Sequence, residues 1–232
     1  MDIIILPGLT GTNRLLGEFV SALAAASPGA VRVSVIAYPT DQRLDYAALT
    51  ARVRALLPSD RPFIIVGESF SGPVALSLAI TPPPGLRGTV LVASFARFPS
   101  TFSPLLAAAA PLAPVRQLPA AVFSWLLLGR WATRQRRAAL KQELARIPAS
   151  LLRFRAAATL RVDLTARLPE ITTPLLYCRA TADRLVHRAA GEEIQKTIAN
   201  ATLIDIPGPH FLLQTQAASC AAAVIEFMGR IG

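Results

Sequence analysis

Ser69 stands in the run Phe63-Ile64-Ile65-Val66-Gly67-Glu68-Ser69-Phe70-Ser71-Gly72-Pro73-Val74-Ala75-Leu76, where an apolar strand pattern breaks at Gly67 and helical spacing begins just after the serine. A strand that reverses into a helix within one or two residues holds the residue between them in a strained backbone conformation. That is tolerable only where the side chains two positions to either side are nearly absent. Gly67 and Ser71 meet the demand. The turn lifts the hydroxyl off the sheet edge, and the amides and dipole of the new helix point at the same spot. This is a setting for a nucleophile. A serine hydroxyl also needs a base, and histidine is the usual one because its ordinary pKa lies near neutrality. The chain has two histidines. His210 lies in Ile206-Pro207-Gly208-Pro209-His210-Phe211, between the last predicted strand and the last helix, whereas His187 opens a helix one strand earlier. Ligand sites of an open parallel sheet gather at the carboxyl ends of its strands, which favours His210 as the base and leaves His187 as a surface residue. An acid that fixes the histidine tautomer should follow another strand end, and Asp183 is placed for it; capping the helix that follows is the competing account. Glu68 neighbours the serine, but strand alternation turns it away from the hydroxyl toward a structural hydrogen-bonding role.

The elements that would position these residues alternate. Asp2–Leu6 reads as a short apolar strand, Thr12–Ala26 as a helix, Val31–Ala37 as a strand and Tyr46–Leu57 as a helix closed by Pro58. Phe63–Val66 is a central strand, and the helix after the serine runs to Ile80, where Pro82-Pro83-Pro84 stops it. Strands follow at Thr89–Ala93, Leu175–Arg179 and Thr202–Ile206, with helices at Ala189–Ile198 and Phe211–Met228. About six strands alternating with helices predict an α/β fold with a mostly parallel sheet covered on both faces.

Between Phe95 and Pro169 the alternation stops, and residues 96–169 read as a helical cap inserted into a core made of residues 1–95 and 170–232. Leu140, Leu144 and Ile147 share one apolar helix face, away from Arg134, Arg137 and Lys141. Trp125 and Trp131 are candidates to line a pocket under this cap, with simple packing an equal account. Eleven arginines and Lys141 stand against Glu143 and Asp163 in residues 97–167, so the whole chain's net charge of +10 resides in this segment. A localised positive field attracts anions over roughly one Debye length, ~10 Å at moderate salt. A solvated arginine-rich face is the plain reading; an acidic carrier protein, coenzyme A or an anionic phospholipid surface is the sharper one. No recognised nucleic-acid motif accompanies the charge. The longest apolar runs, such as Ala120 to Gly129, fall short of the ~20 residues a membrane span needs. Met1-Asp2 leads straight into a strand with no secretory pattern, so the expected location is cytoplasmic. Cys178 and Cys220 suit neither a disulfide framework nor a metal site, and read as buried thiols.

Gly67-Glu68-Ser69-Phe70-Ser71 resembles the nucleophile elbow of the α/β-hydrolase superfamily, Ala180-Thr181-Ala182-Asp183 its acid turn, and Gly208-Pro209-His210 its histidine loop. The order Ser69, Asp183, His210 is that family's order. Leu6-Pro7-Gly8-Leu9-Thr10 is similar to its oxyanion turn, although Pro7 stands where relatives often have histidine, and Ser71 stands where the elbow commonly ends in glycine. The resemblance covers nearly the whole chain. It implies a small cap-bearing serine esterase with Ser69, Asp183 and His210 as triad and the backbone amides of Leu9 and Phe70 as oxyanion donors. Such an enzyme cleaves a small or carrier-linked ester or thioester through an acyl-enzyme, with no cofactor and no metal. An acyltransferase on the same triad and a catalytically silent binding protein of the same fold are the alternatives.

Overall fold

Buried parallel strands are near-continuous apolar runs, because helices cover both of their faces. Four of the six strands here have that character, the other two being the edges of the sheet. The computed structural model describes residues 1–27, 31–98 and 120–232. Its elements run β1 (Asp2–Leu6), α1 (Gly17–Ala26), β2 (Val33–Val35), α2 (Tyr46–Leu56), β3 (Phe63–Glu68), a 3₁₀ turn (Ser69–Ser71) and α3 (Gly72–Ile80). They continue with β4 (Leu86–Val92), α4 (Ala120–Leu127), α5 (Arg134–Arg146), α6 (Ala149–Arg161), β5 (Leu175–Ala180), α7 (Ala189–Thr197), β6 (Ala201–Ile206), α8 (Leu212–Thr215) and α9 (Ala217–Ile231).

All strands pair in parallel, in the order β2-β1-β3-β4-β5-β6. The order reverses direction between β1 and β3, and there the loops after the two strands diverge and leave a crevice. Alternate residues of each strand feed two cores. Ile4, Leu6, Phe63 and Ile65 pack with Leu49 and Val53 of α2 and with α3, while Ile3, Ile5, Ile64 and Val66 pack with Phe19 and Leu23 of α1 and Val224 and Phe227 of α9.

Several boundaries differ from the sequence expectation; β4, expected from Thr89, begins at Leu86. The edge strand β2 spans only Val33–Val35, because pairing with β1 is limited to Ile3–Ile5. The helix expected from Thr12 begins at Gly17; Thr12–Leu16 instead form a turn in which the Leu16 amide donates to the Asn13 carbonyl. The closing helix is two helices, α8 and α9, broken at Gln216. Between β4 and β5 the chain leaves at Ala96–Arg97 and returns at Asp163–Leu164, and these two segments lie side by side: Arg97 pairs with Asp163, and the Leu164 amide donates to the Ala96 carbonyl. No helix among the described residues is long and apolar enough to cross a membrane.

Candidate active site

The site is built from the carboxyl ends of β1, β3, β5 and β6. Ser69 follows β3 with φ at +48°, the left-handed conformation that a side-chain-bearing residue adopts only where its surroundings hold it there. Its Oγ lies 2.8 Å from His210 Nε2. His210, buried after β6, places Nδ1 at 2.8 Å from Asp183 Oδ2. An ionised carboxylate only accepts, so Nδ1 carries the proton and donates to Asp183, leaving Nε2 to accept from the Ser69 hydroxyl. The other Asp183 oxygen accepts the amides of Leu185 (2.7 Å) and Val186 (2.9 Å). Asp183 does not cap the helix that follows, since α7 begins at Ala189; its Oδ1 holds the loop before that helix while Oδ2 faces His210. His187 is exposed, and its Nδ1 accepts the Ala189 amide at 3.3 Å.

Two peptide groups beside Ser69 are fixed through their carbonyls. The Gly8 carbonyl accepts the Gly11 amide at 2.9 Å, and in a trans peptide that turns the Leu9 N–H to the opposite side. The Ser69 carbonyl accepts the Ser94 hydroxyl at 2.6 Å and the Gly72 amide, which does the same for Phe70 N–H. Ser94 is fully buried, and its own carbonyl accepts the Tyr177 hydroxyl at 2.5 Å. Nothing in the sequence around Ser94 pointed to this role. Ser71 donates to the Pro7 carbonyl and accepts from the Tyr38 hydroxyl (2.6 Å), so the two departures from the family pattern meet in one contact between the turns after β1 and β3. Burial lifts the Tyr38 hydroxyl far above its ordinary value and keeps it a neutral donor.

Glu68 is turned away from the hydroxyl, as alternation requires. It is 5% exposed, with Oε2 accepting the Gly8 amide (3.1 Å) and Oε1 the Gln214 side-chain amide (2.7 Å). Burial pushes its carboxyl above the ordinary range, opposed by the Gln214 hydrogen bond, the nearby His210 and the Gly8 amide. Burial likewise pushes the Cys178 thiol up, and raises Cys220 to about 12. Among the described residues no cluster of three or more His, Cys, Asp or Glu could hold a metal ion.

A cavity of about 290 Å³ opens over Ser69 and His210, walled by Leu9, Phe70, Phe95, Phe98, Phe123, Leu126, Leu127, Leu140, Leu144, Leu160 and Phe211. Trp125 and Trp131 are absent from this wall. Phe123, Leu126 and Leu127 fall at i, i+3 and i+4 of α4 and face the cavity, which puts Trp125 on the outer side. Trp125 is 58% exposed under the Arg184 guanidinium (4.6 Å), and Trp131 lies under Arg130 (4.2 Å). No lysine or arginine side chain lines the cavity among the described residues.

Residues 3–223 match the family model described as Alpha/beta hydrolase family. The chain belongs to the α/β-hydrolase family. This α/β-hydrolase superposes on an enol-lactonase from Burkholderia xenovorans at a TM-score of 0.81, with 19% identity over 98% of this chain and 91% of the other. A hydrolase from Pseudomonas aeruginosa gives 0.81 at 23% identity, over 98% and 89%. An esterase from Exiguobacterium antarcticum gives 0.82 at 14%, over 99% and 92%. At these identities the likeness establishes the fold. Among curated proteins none matches the α/β-hydrolase chain in sequence.

Proposed function

We propose that this protein is a serine hydrolase of carboxylic esters or thioesters, with Ser69 as nucleophile, His210 as base and Asp183 as the acid that orients it. The observation that carries the reading is the continuous chain from Ser69 Oγ through His210 to Asp183, 2.8 Å at each link. In the proposed reaction His210 Nε2 takes the serine proton as Oγ attacks the acyl carbonyl, and the amides of Leu9 and Phe70 stabilise the oxyanion. The imidazolium then returns the proton to the leaving alcohol or thiol. Water, activated by His210, adds to the acyl-enzyme, and Ser69 leaves with its proton restored. The apolar cavity favours an uncharged, apolar acyl chain, whose burial contributes about 0.8 kcal/mol per methylene.

Residues 96–169 would then act as a cap over a core of residues 1–95 and 170–232, a division supported by the paired segments at Arg97 and Asp163. Among the described residues the basic side chains of the cap lie off the cavity wall, so an acidic carrier would be met by the outer surface while its acyl chain enters the pocket. A fluorophosphonate probe tests the central claim. Labelling of the wild type that disappears in Ser69→Ala, together with hydrolysis of 4-nitrophenyl esters lost by at least about 10³-fold in the same variant, is the expected result. Folded wild-type protein that neither labels nor turns over such esters would reject it.

A further inference from the structure

Arg155 belongs to α6, in the arginine-rich segment, yet its side chain is 2% exposed. Nη1 donates to the carbonyls of Leu9 (2.9 Å) and Thr10 (2.7 Å), and Nη2 to the carbonyl of Pro39 (2.8 Å). The guanidinium stands 5.8 Å from the Tyr38 ring. No carboxylate among the described residues lies within ion-pair distance of it. Gly11 makes room for this side chain: at φ +76°, a Cβ there would meet Nη1 at 2.6 Å. A fully buried charge satisfied only by backbone carbonyls is a costly arrangement. Its location gives the cost a use. The two carbonyls gripped by Nη1 belong to the turn that carries the Leu9 N–H, the oxyanion donor of the functional reading, while Glu68 holds the same turn from the sheet side through Gly8.

Resting on the functional reading above, we propose that Arg155 is a positioning residue for the oxyanion site. It fixes the Leu9–Thr10 backbone so that the Leu9 amide is aimed before substrate arrives, and it adds an unneutralised positive charge to that turn. Preorganised donors and fixed charge in a dry site stabilise the transition state more than the ground state, so the effect falls on kcat rather than KM. It also makes the placement of a cap helix a condition for a competent site, since α6 carries the guanidinium to the core turn.

The test is steady-state kinetics of Arg155→Ala, Arg155→Lys and Glu18→Gln on a short neutral ester, with wild-type turnover and Ser69 labelling as the reference. Glu18→Gln removes the Arg136–Glu18 ion pair (3.8 Å), a link between the neighbouring helix α5 and α1, without touching the turn. Arg155→Ala should lose about 10²-fold in kcat with KM within about threefold, and should bind an alkyl boronic acid correspondingly more weakly, as expected for a lost oxyanion contribution. Added guanidinium should restore part of the rate where equal sodium chloride does not. Glu18→Gln should stay within about twofold of wild type. Unchanged kcat in Arg155→Ala, or a loss expressed in KM, or loss without guanidinium rescue, overturns the proposal. Should Arg155→Ala not fold, Arg155→Lys decides: a fall in kcat of about 3–30-fold at constant KM supports it, and unchanged kcat overturns it. An inactive, unlabelled wild type would instead reject the functional reading itself.

Discussion

Glu68 is the residue whose burial has the clearest measurable consequence. Its carboxyl accepts two hydrogen bonds that favour the ionised form, but burial outweighs them and raises its pKa above the ordinary 4.5. A carboxyl raised in the folded state binds its proton more tightly there than when unfolded. Its stabilising contribution is therefore complete below the ordinary value and is lost as pH rises through the folded one. Glu68→Gln should abolish that loss. The amide fits: its oxygen can accept the Gly8 amide, and its NH₂ can donate to the Gln214 Oε1, which lacks a partner among the described residues, once the Gln214 amide rotates. The melting temperature of Glu68→Gln relative to wild type should accordingly rise from about pH 5 to about pH 8; a difference that narrows over that range contradicts the assignment. At this scale the sequence was legible where chemistry restricts the choice of residue. Few bases were available, so His210 stood out, and Ser69 and Asp183 shared its strand-end setting. Ser94 and Arg155 were illegible, because a serine on an ordinary strand end and one arginine among eleven carry no local signal until the chain is folded around them.

The elbow works as a unit of β3, the 3₁₀ turn and α3, closed by the end of β4. Gly72, the first residue of α3, has Ser94 packed against it so closely that a Cβ would fall 1.7 Å from Ser94 Oγ. That contact places the Ser94 hydroxyl on the Ser69 carbonyl. Gly72→Ala must push the end of β4 away, and overpacking of this kind costs about 1–3 kcal/mol. For a chain of this size the melting temperature should fall by about 3–10 °C, with activity lost as Phe70 N–H is released. Gly17→Ala is the contrast, since a Cβ at the start of α1 meets nothing within 4 Å. Equal behaviour of the two variants, by thermal melting and ester turnover, would show that the Gly72–Ser94 contact has no such role. Elements were readable from sequence where burial is two-sided. β1, β3, β4 and β5 announce themselves as apolar runs, whereas β2 pairs over three residues and its flanking apolar positions overstated it. The turn at Thr12–Leu16 has helical spacing, but there Thr12 donates its hydroxyl to Glu143 of α5, a long-range contact that local periodicity cannot register.

Across the whole molecule, charge and chemistry occupy different places. The net +10 resides in residues 97–167, while the cavity over Ser69 is apolar and free of basic side chains among the described residues. On α5, Arg134, Arg137 and Lys141 are exposed along one face, and the helix's only acid, Glu143, is buried against Thr12. A field of this kind acts on encounter rather than on the chemical step: it accelerates the approach of an anionic partner and is screened beyond ~10 Å at 0.1 M salt. An acyl chain presented on an acidic carrier protein should therefore show kcat/KM falling by at least about tenfold between low and high salt, because association carries the electrostatic contribution. A short neutral ester reaches the same Ser69 without that contribution, and its kcat/KM should change by less than about twofold over the same range. Comparing the two substrates separates a docking role of the basic surface from a solvated face with no partner. Parallel salt responses, flat or steep, would assign the arginines to solvation and leave the apolar cavity as the sole determinant of substrate choice.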